Sequence, residues 1–284
     1  MSMEQGIQAE ASITNEAAAR QMLAAFRDQM EALSRSGAVL FFLLLVPAIP
    51  LFYLPASTII GSTPAANVHA SIILLALPVV SMASASAICG DIVLWGFIRA
   101  PAASLVGRFL AGLTVPVAVV CGAYGVAFAI STATCPMAYT WEFLVSLGVA
   151  VAGTFFFCAF SFMMGIRFGN AVLSFFLLAV VIPAACLSIA YAVPGLAPIM
   201  EYSPVFSTDM SLNILGSSGL SFASLVSVAL GGRLESFAGS VPAVMSAVSA
   251  ILGLACVVTG CRWADRRDAR CAKRQPCSSF VSRY

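Results

Sequence analysis

The sequence predicts an all-α fold, a polytopic membrane protein with six transmembrane helices, an N-terminal amphipathic interfacial helix and an external or re-entrant segment before the last span. Three observations carry this. Of the 284 residues, 61% are hydrophobic and only 9% charged, where a soluble domain carries about 25% charged residues. From Ser36 to Gly90 there is no Asp, Glu, Lys or Arg in 55 consecutive residues, more than two bilayer crossings at about 20 residues each. The basic residues, finally, fall at intervals that six crossings place almost entirely on one side. A soluble enzyme is excluded, and a net charge of +2 gives no reason to expect nucleic-acid binding.

Residues 1–36 form a cytoplasmic amphipathic region. Asn15 is placed to cap a helix in which Met22, Leu23, Phe26, Met30 and Leu33 share one face. Arg27 with Glu31, and Glu31 with Arg35, are spaced for i,i+4 pairing. Such a helix is expected to lie along the inner membrane surface and run into span one; a soluble helical lead-in is the alternative. The region is too long and too polar for the basic start of a cleavable signal peptide, so span one is expected to stay as an anchor.

Residues 37–261 form the transmembrane domain. Spans one and two, Gly37 to Pro55 and His69 to Gly90, are joined by the turn-rich stretch Ala56 to Val68 with Gly61, Ser62 and Pro64. Phe109 to Ile130 is span three, Phe143 to Ile166 span four, Phe168 to Ala192 span five and Phe237 to Cys261 span six. Met210 to Gly232 is uncharged too, but its 23 residues include six Ser, four Gly and one Asn. If that segment stays outside, the N-terminal region, the loops holding Arg99, Arg108 and Arg167, and the basic tail 262–284 all face the cytoplasm, leaving only Arg233 of the fourteen basic residues outside. Trp95 and Trp263 then flank inner span ends and Trp141 an outer one, the headgroup level that tryptophan favours.

The catalytic inventory is empty. There is no Gly-rich phosphate loop, His-Glu-x-x-His helix or Gly-x-Ser-x-Gly elbow. His69 has no carboxylate or histidine neighbours in sequence, Cys261, Cys271 and Cys277 fit no zinc spacing, and no metal site is expected. Cys89, Cys121, Cys158, Cys186 and Cys256 lie in or near spans, where a thiol acts as a small apolar group, and only Cys135 is clearly external. No span interior carries a carboxylate, lysine or arginine, which disfavours ion-driven transport. Thr114, Tyr124, Thr154, Ser161 and Ser174 are read first as interhelical hydrogen-bonding groups. Ser81 and Ala85, and Gly165 and Gly169, are four apart and let helices approach closely, while Pro47, Pro50, Pro78, Pro116 and Pro183 predict kinks.

The loop after span two reads Gly-Asp-Ile-Val-Leu-Trp-Gly-Phe-Ile-Arg-Ala-Pro from Gly90 to Pro101, followed by Ala102 to Gly112 with Gly107-Arg108. It resembles the permeases of type-2 ATP-binding-cassette (ABC) exporters. In that family an acidic residue ends the second span, a glycine follows, an apolar stretch leads into an x-Pro turn, and Gly-Lys or Gly-Arg opens the third span. Asp91, Gly96, Pro101, Gly107 and Arg108 stand at those positions, with Arg99 on the same loop. Pro101 to Gly107 is about one helical turn shorter than in the commoner pattern. Tyr202-Ser203-Pro204-Val205 resembles the turn after span five, and Phe162 to Asn170 the loop between spans four and five.

The resemblance implies a permease subunit in a bacterial plasma membrane, with both termini cytoplasmic. It implies a cytoplasmic ABC ATPase subunit that carries the ATP and magnesium, with no cofactor in this chain, and a second permease copy or paralogue within the lipid bilayer. It also implies that Asp91 to Arg108 couples ATP hydrolysis to export of an amphiphilic or apolar cargo. The alternative is a secondary carrier or channel without an ATPase partner; an intramembrane enzyme would need a polar cluster that the spans lack.

Overall fold

The computed structural model describes residues 3–35, 102–134, 140–168, 181–196, 202–206 and 241–274, with positions 173, 176, 177 and 199. Among these there is helix and no strand. Five α-helices appear in chain order: α1, Met3–Ser34; α2, Ala102–Thr134; α3, Thr140–Phe168; α4, Ile182–Ala192; and α5, Val241–Arg274. Within α2, α3 and α5, three stretches are long and apolar enough to cross a membrane, Ala102–Val126, Leu144–Phe168 and Pro242–Arg266. They correspond to spans three, four and six. Spans one and two and the segment 210–232 lie outside the described residues.

α1 begins at Met3, so Asn15 sits in its interior and not at its cap. The upstream residues explain this, because Glu4, Gln5, Gln8, Ala9, Glu10 and Ala11 are good helix formers that carry the helix back past Asn15. On the exposed side Arg20 pairs with Glu16 and Arg35 with Glu31, both four residues apart in the favourable acid-first order. Ser34 donates to the Glu31 carbonyl at 2.8 Å and the Arg35 amide to the same carbonyl at 3.3 Å, closing the last turn.

α2 opens immediately after Pro101, seven residues earlier than the apolar stretch predicts, because Arg108 is a good helix former that interrupts only the uncharged run. Pro116 lies inside the continuous helix. α3 is the most enclosed of the three spans, with 67% of its apolar window buried against 28% for α5, which puts α3 at the centre. α2 packs antiparallel to it: Phe109 meets Phe162 with ring centroids 5.2 Å apart at one end, and Tyr124 shares a 2.8 Å hydroxyl hydrogen bond with Ser146 at the other.

α3 and α5 run in the same direction. A Cβ at Gly253 would touch Phe155, one at Gly260 would touch Phe162, and Arg167 stands over Trp263, so both chains advance together.

The core joins all three spans. Leu105 and Phe109 from α2, Cys158, Ala159, Phe162 and Ile166 from α3 and Ala264 from α5 form one buried cluster. Glycines on α5 admit the phenylalanines of α3, which is how membrane helices gain van der Waals contact without a hydrophobic driving force between them. α4 starts with Pro183 in its first turn and ends with the Val193 amide bonded to the Ile189 carbonyl at 2.9 Å. The chain then folds back through the 3-10 turns Pro194–Leu196 and Pro204–Phe206. Ser203 hydrogen-bonds the Cys186 thiol, and Val205 and Ile182 both pack on Phe156 and Phe157. The turn that Ser203-Pro204 predicts is therefore present.

Candidate functional site

α1 packs lengthwise on α2, both helices running the same way. Met22 meets Gly107, Met30 meets Thr114, and Leu33 packs between Ala111 and Val115 with Phe26 and Met30 beside it. The apolar stripe expected on the membrane surface is thus covered by α2. Leu23 departs from the expected face and is 67% exposed, while Ala25 and Gln29 are buried in its place. Helical geometry accounts for this, since Met22, Ala25, Phe26, Gln29, Met30 and Leu33 recur every three or four residues and Leu23 lies a further 100° round.

The closest approach is at Gly107. A Cβ there would overlap the Met22 carbonyl oxygen and lie 3.0 Å from its carbonyl carbon, so only glycine permits this contact. Two helical turns further, the Thr114 hydroxyl donates to the Ala111 carbonyl at 2.7 Å and reaches the Met30 sulfur at 3.1 Å.

A groove of about 440 Å³ runs beside this contact, lined by Gln21, Asp28 and Gln29 of α1, Ser104 and Arg108 of α2, and three alanines of α1. Its chemistry is one acid, one base, two amides and a hydroxyl on an otherwise small-residue floor. No nucleophile and base are paired across it, and among the described residues no three His, Cys, Asp or Glu gather to hold a metal. The groove suits contact with another polypeptide better than bond-breaking chemistry.

Through Ser104 and Arg108 it lies toward the end of the bundle where cations collect. The amino end of α2 and the carboxyl ends of α3 and α5 meet there through Leu105, Ile166 and Ala264. The Arg167 guanidinium lies 5.8 Å from the centroid of Trp263 and 5.6 Å from that of Phe168, and Arg262 and Arg266 are exposed nearby on α5.

Of the residues singled out in sequence, Gly107 and Arg108 fall at this site, adjacent to α1. Asp91, Gly96, Arg99 and Pro101 lie outside the described residues, as do Ser81, Ala85 and Gly169. Gly165 is buried in α3. The sequence reading misses Asp28 and Gln29 as groove residues and Gly253 and Gly260 as packing positions. The seven-residue spacing of those two glycines, two turns apart on one face, is the signal that could have found them.

Among the described residues the regular structure is all helical, and its three stretches fit to cross a bilayer are consistent with an integral membrane protein of the all-α class. No family model matches the chain, and no curated protein matches it.

Proposed function

We propose that the chain is the membrane-spanning permease subunit of an ATP-driven ABC exporter, with six spans, cytoplasmic termini and a separate ATPase subunit. The observation that carries this reading is the α1–α2 contact at Gly107, with the Arg108 groove beside it, at the bundle end where the basic residues gather. That end is cytoplasmic by the positive-inside rule. The sequence has no phosphate-binding loop, so energy has to enter by contact with a partner.

In sequence, Asp91 to Pro101 leads directly into α2, whose first turns carry Gly107 and Arg108 and are clamped by α1. A partner that presses on the loop or on α1 therefore moves α2 from its first turn. Closure of the ATPase dimer then biases two arrangements of the permeases, inward-open and outward-open, by its different affinity for each. The cargo is amphiphilic or apolar, in keeping with spans that carry no interior charge.

The test is reconstitution with a candidate ABC ATPase subunit. Arg99→Gln with Arg108→Gln is expected to leave insertion and dimerisation intact and to reduce cargo-stimulated ATP hydrolysis. Full stimulated hydrolysis and transport in that double variant assigns coupling elsewhere. Transport that persists without any ATPase favours the secondary-carrier alternative.

A further inference from the structure

Two helices outlast the bundle at its basic end. Met22 is level with Gly107, so residues 3–16 of α1 run beyond Ala102, about 21 Å along the helix axis at 1.5 Å per residue. Arg167 is level with Trp263, so residues 266–274 of α5 run beyond Phe168, about 14 Å by the same rise. Sequence gives the two extensions opposite charge. Residues 3–16 of α1 contain Glu4, Glu10 and Glu16 and no basic residue, a net charge of −3. Residues 266–274 of α5 contain Arg266, Arg267, Arg270, Lys273 and Arg274 against Asp268, a net charge of +4.

Within the chain these extensions belong to different helix pairs. α1 packs on α2 and α5 on α3, and among the described residues α1 and α5 share no extended contact. We propose that the acidic extension of α1 docks on the basic extension of α5 in a second copy of the chain, and the reverse. The proposal rests on the permease reading above, which requires two permeases side by side. Three features favour a second copy as the occupant. The charges are opposite, the extensions leave the same end of the bundle, and one two-fold axis generates both contacts from a single self-complementary surface. An acidic partner protein would engage α5 and leave α1 without a counterpart, and anionic lipid would do the same.

Charge reversal in two differently tagged full-length chains tests this. One chain carries Glu4→Lys, Glu10→Lys and Glu16→Lys, so both its extensions are basic. The other carries Arg266→Glu, Arg270→Glu and Lys273→Glu, so both are acidic. Each is co-expressed with a tagged copy of itself, with the other and as wild type, and capture of the second tag from detergent extracts is measured. Wild-type pairs are expected to be captured, and each variant paired with itself to fall by about tenfold, since like charges across an interface repel. The mixed pair is expected to return to the wild-type level, because both of its contacts are again opposite in charge.

Self-pairs that persist, or a mixed pair that stays as weak as the self-pairs, overturn the proposal. The second result is the one expected if the extensions pair within a chain or if α5 binds lipid. Absence of wild-type pairing overturns it too. The permease reading is scored separately by co-purification of the ATPase, so failed pairing with the ATPase still bound leaves that reading in place.

Discussion

Gly107→Ala probes the contact on which the candidate site depends. The added Cβ would overlap the Met22 carbonyl oxygen and lie 3.0 and 3.2 Å from the carbonyl carbon and Cα. All are backbone atoms, so no side-chain rotation relieves the overlap and α1 has to back away as a body. Two effects compete. Alanine is favoured over glycine inside a helix by about 0.8–1.0 kcal/mol, while forcing a carbon into a close-fitting contact costs about 1–3 kcal/mol. Backing off also draws Leu33 from Ala111 and Val115 and lengthens the 3.1 Å contact between Thr114 and Met30, which places the cost in the upper part of that range. The net expectation is a loss of about 1–2 kcal/mol, or about 5–30-fold more detached α1. Gly148→Ala is the control, because nothing lies within 4 Å of a Cβ there and only the helix-propensity gain remains. Purified variants in detergent are compared by limited proteolysis of α1 and by thermal unfolding. Gly107→Ala is expected to lose α1 sooner and unfold at lower temperature than wild type, with Gly148→Ala equal or higher. If both variants rise together and α1 stays equally protected, the close approach at Gly107 is wrong.

At Gly253 a Cβ would lie 2.5 Å from Phe155 Cε1 and 2.6 Å from Cδ1, so Gly253→Ala is expected to cost about 1 kcal/mol in thermal unfolding. Adding Phe155→Leu should recover most of it, and no recovery would refute the α3–α5 register. Tyr124→Phe deletes the 2.8 Å hydrogen bond to Ser146 and is expected to cost about 0.6 kcal/mol, the average for such bonds between membrane helices; an unchanged melting curve across repeated preparations would count against the bond. For orientation, a membrane-impermeant maleimide should reach a cysteine placed at Ser217 in intact cells but not Cys271 or Cys277. Labelling of those tail thiols would reverse the assigned topology.

Charge gaps made the apolar helices legible, because hydrocarbon tolerates few ionised side chains and the chain records where it leaves the bilayer. The same signal misplaces helix ends. Arg108 and Arg262 mark departures from hydrocarbon, yet both are good helix formers, and α2 starts before one while α5 continues past the other to Arg274. The stripe on α1 was readable from its spacing, but its partner was not. Met22 and Gly107 are far apart in sequence, and nothing local to either says that they touch. Gly107 was read from the family resemblance as opening span three, whereas its packing role depends on a helix that only the folded chain brings to it. Buried Gln29 was hidden for a related reason, since one amide among apolar neighbours reads as a surface residue until a second helix covers it.

The clasp of Arg167 on Trp263 and Phe168 has a mechanical consequence. A guanidinium over an aromatic ring at an exposed site such as this contributes about 0.5–1 kcal/mol, and here it links the ends of α3 and α5 at the level where Gly260 already seats Phe162. Fixed at that end and interlocked again at Gly253, the pair has no free sliding coordinate and turns as a single strut. α2 meets that strut through a lighter contact than the strut's own. Any rearrangement of the described bundle is therefore borne by the seam beside α2, with α1 riding on it as a handle.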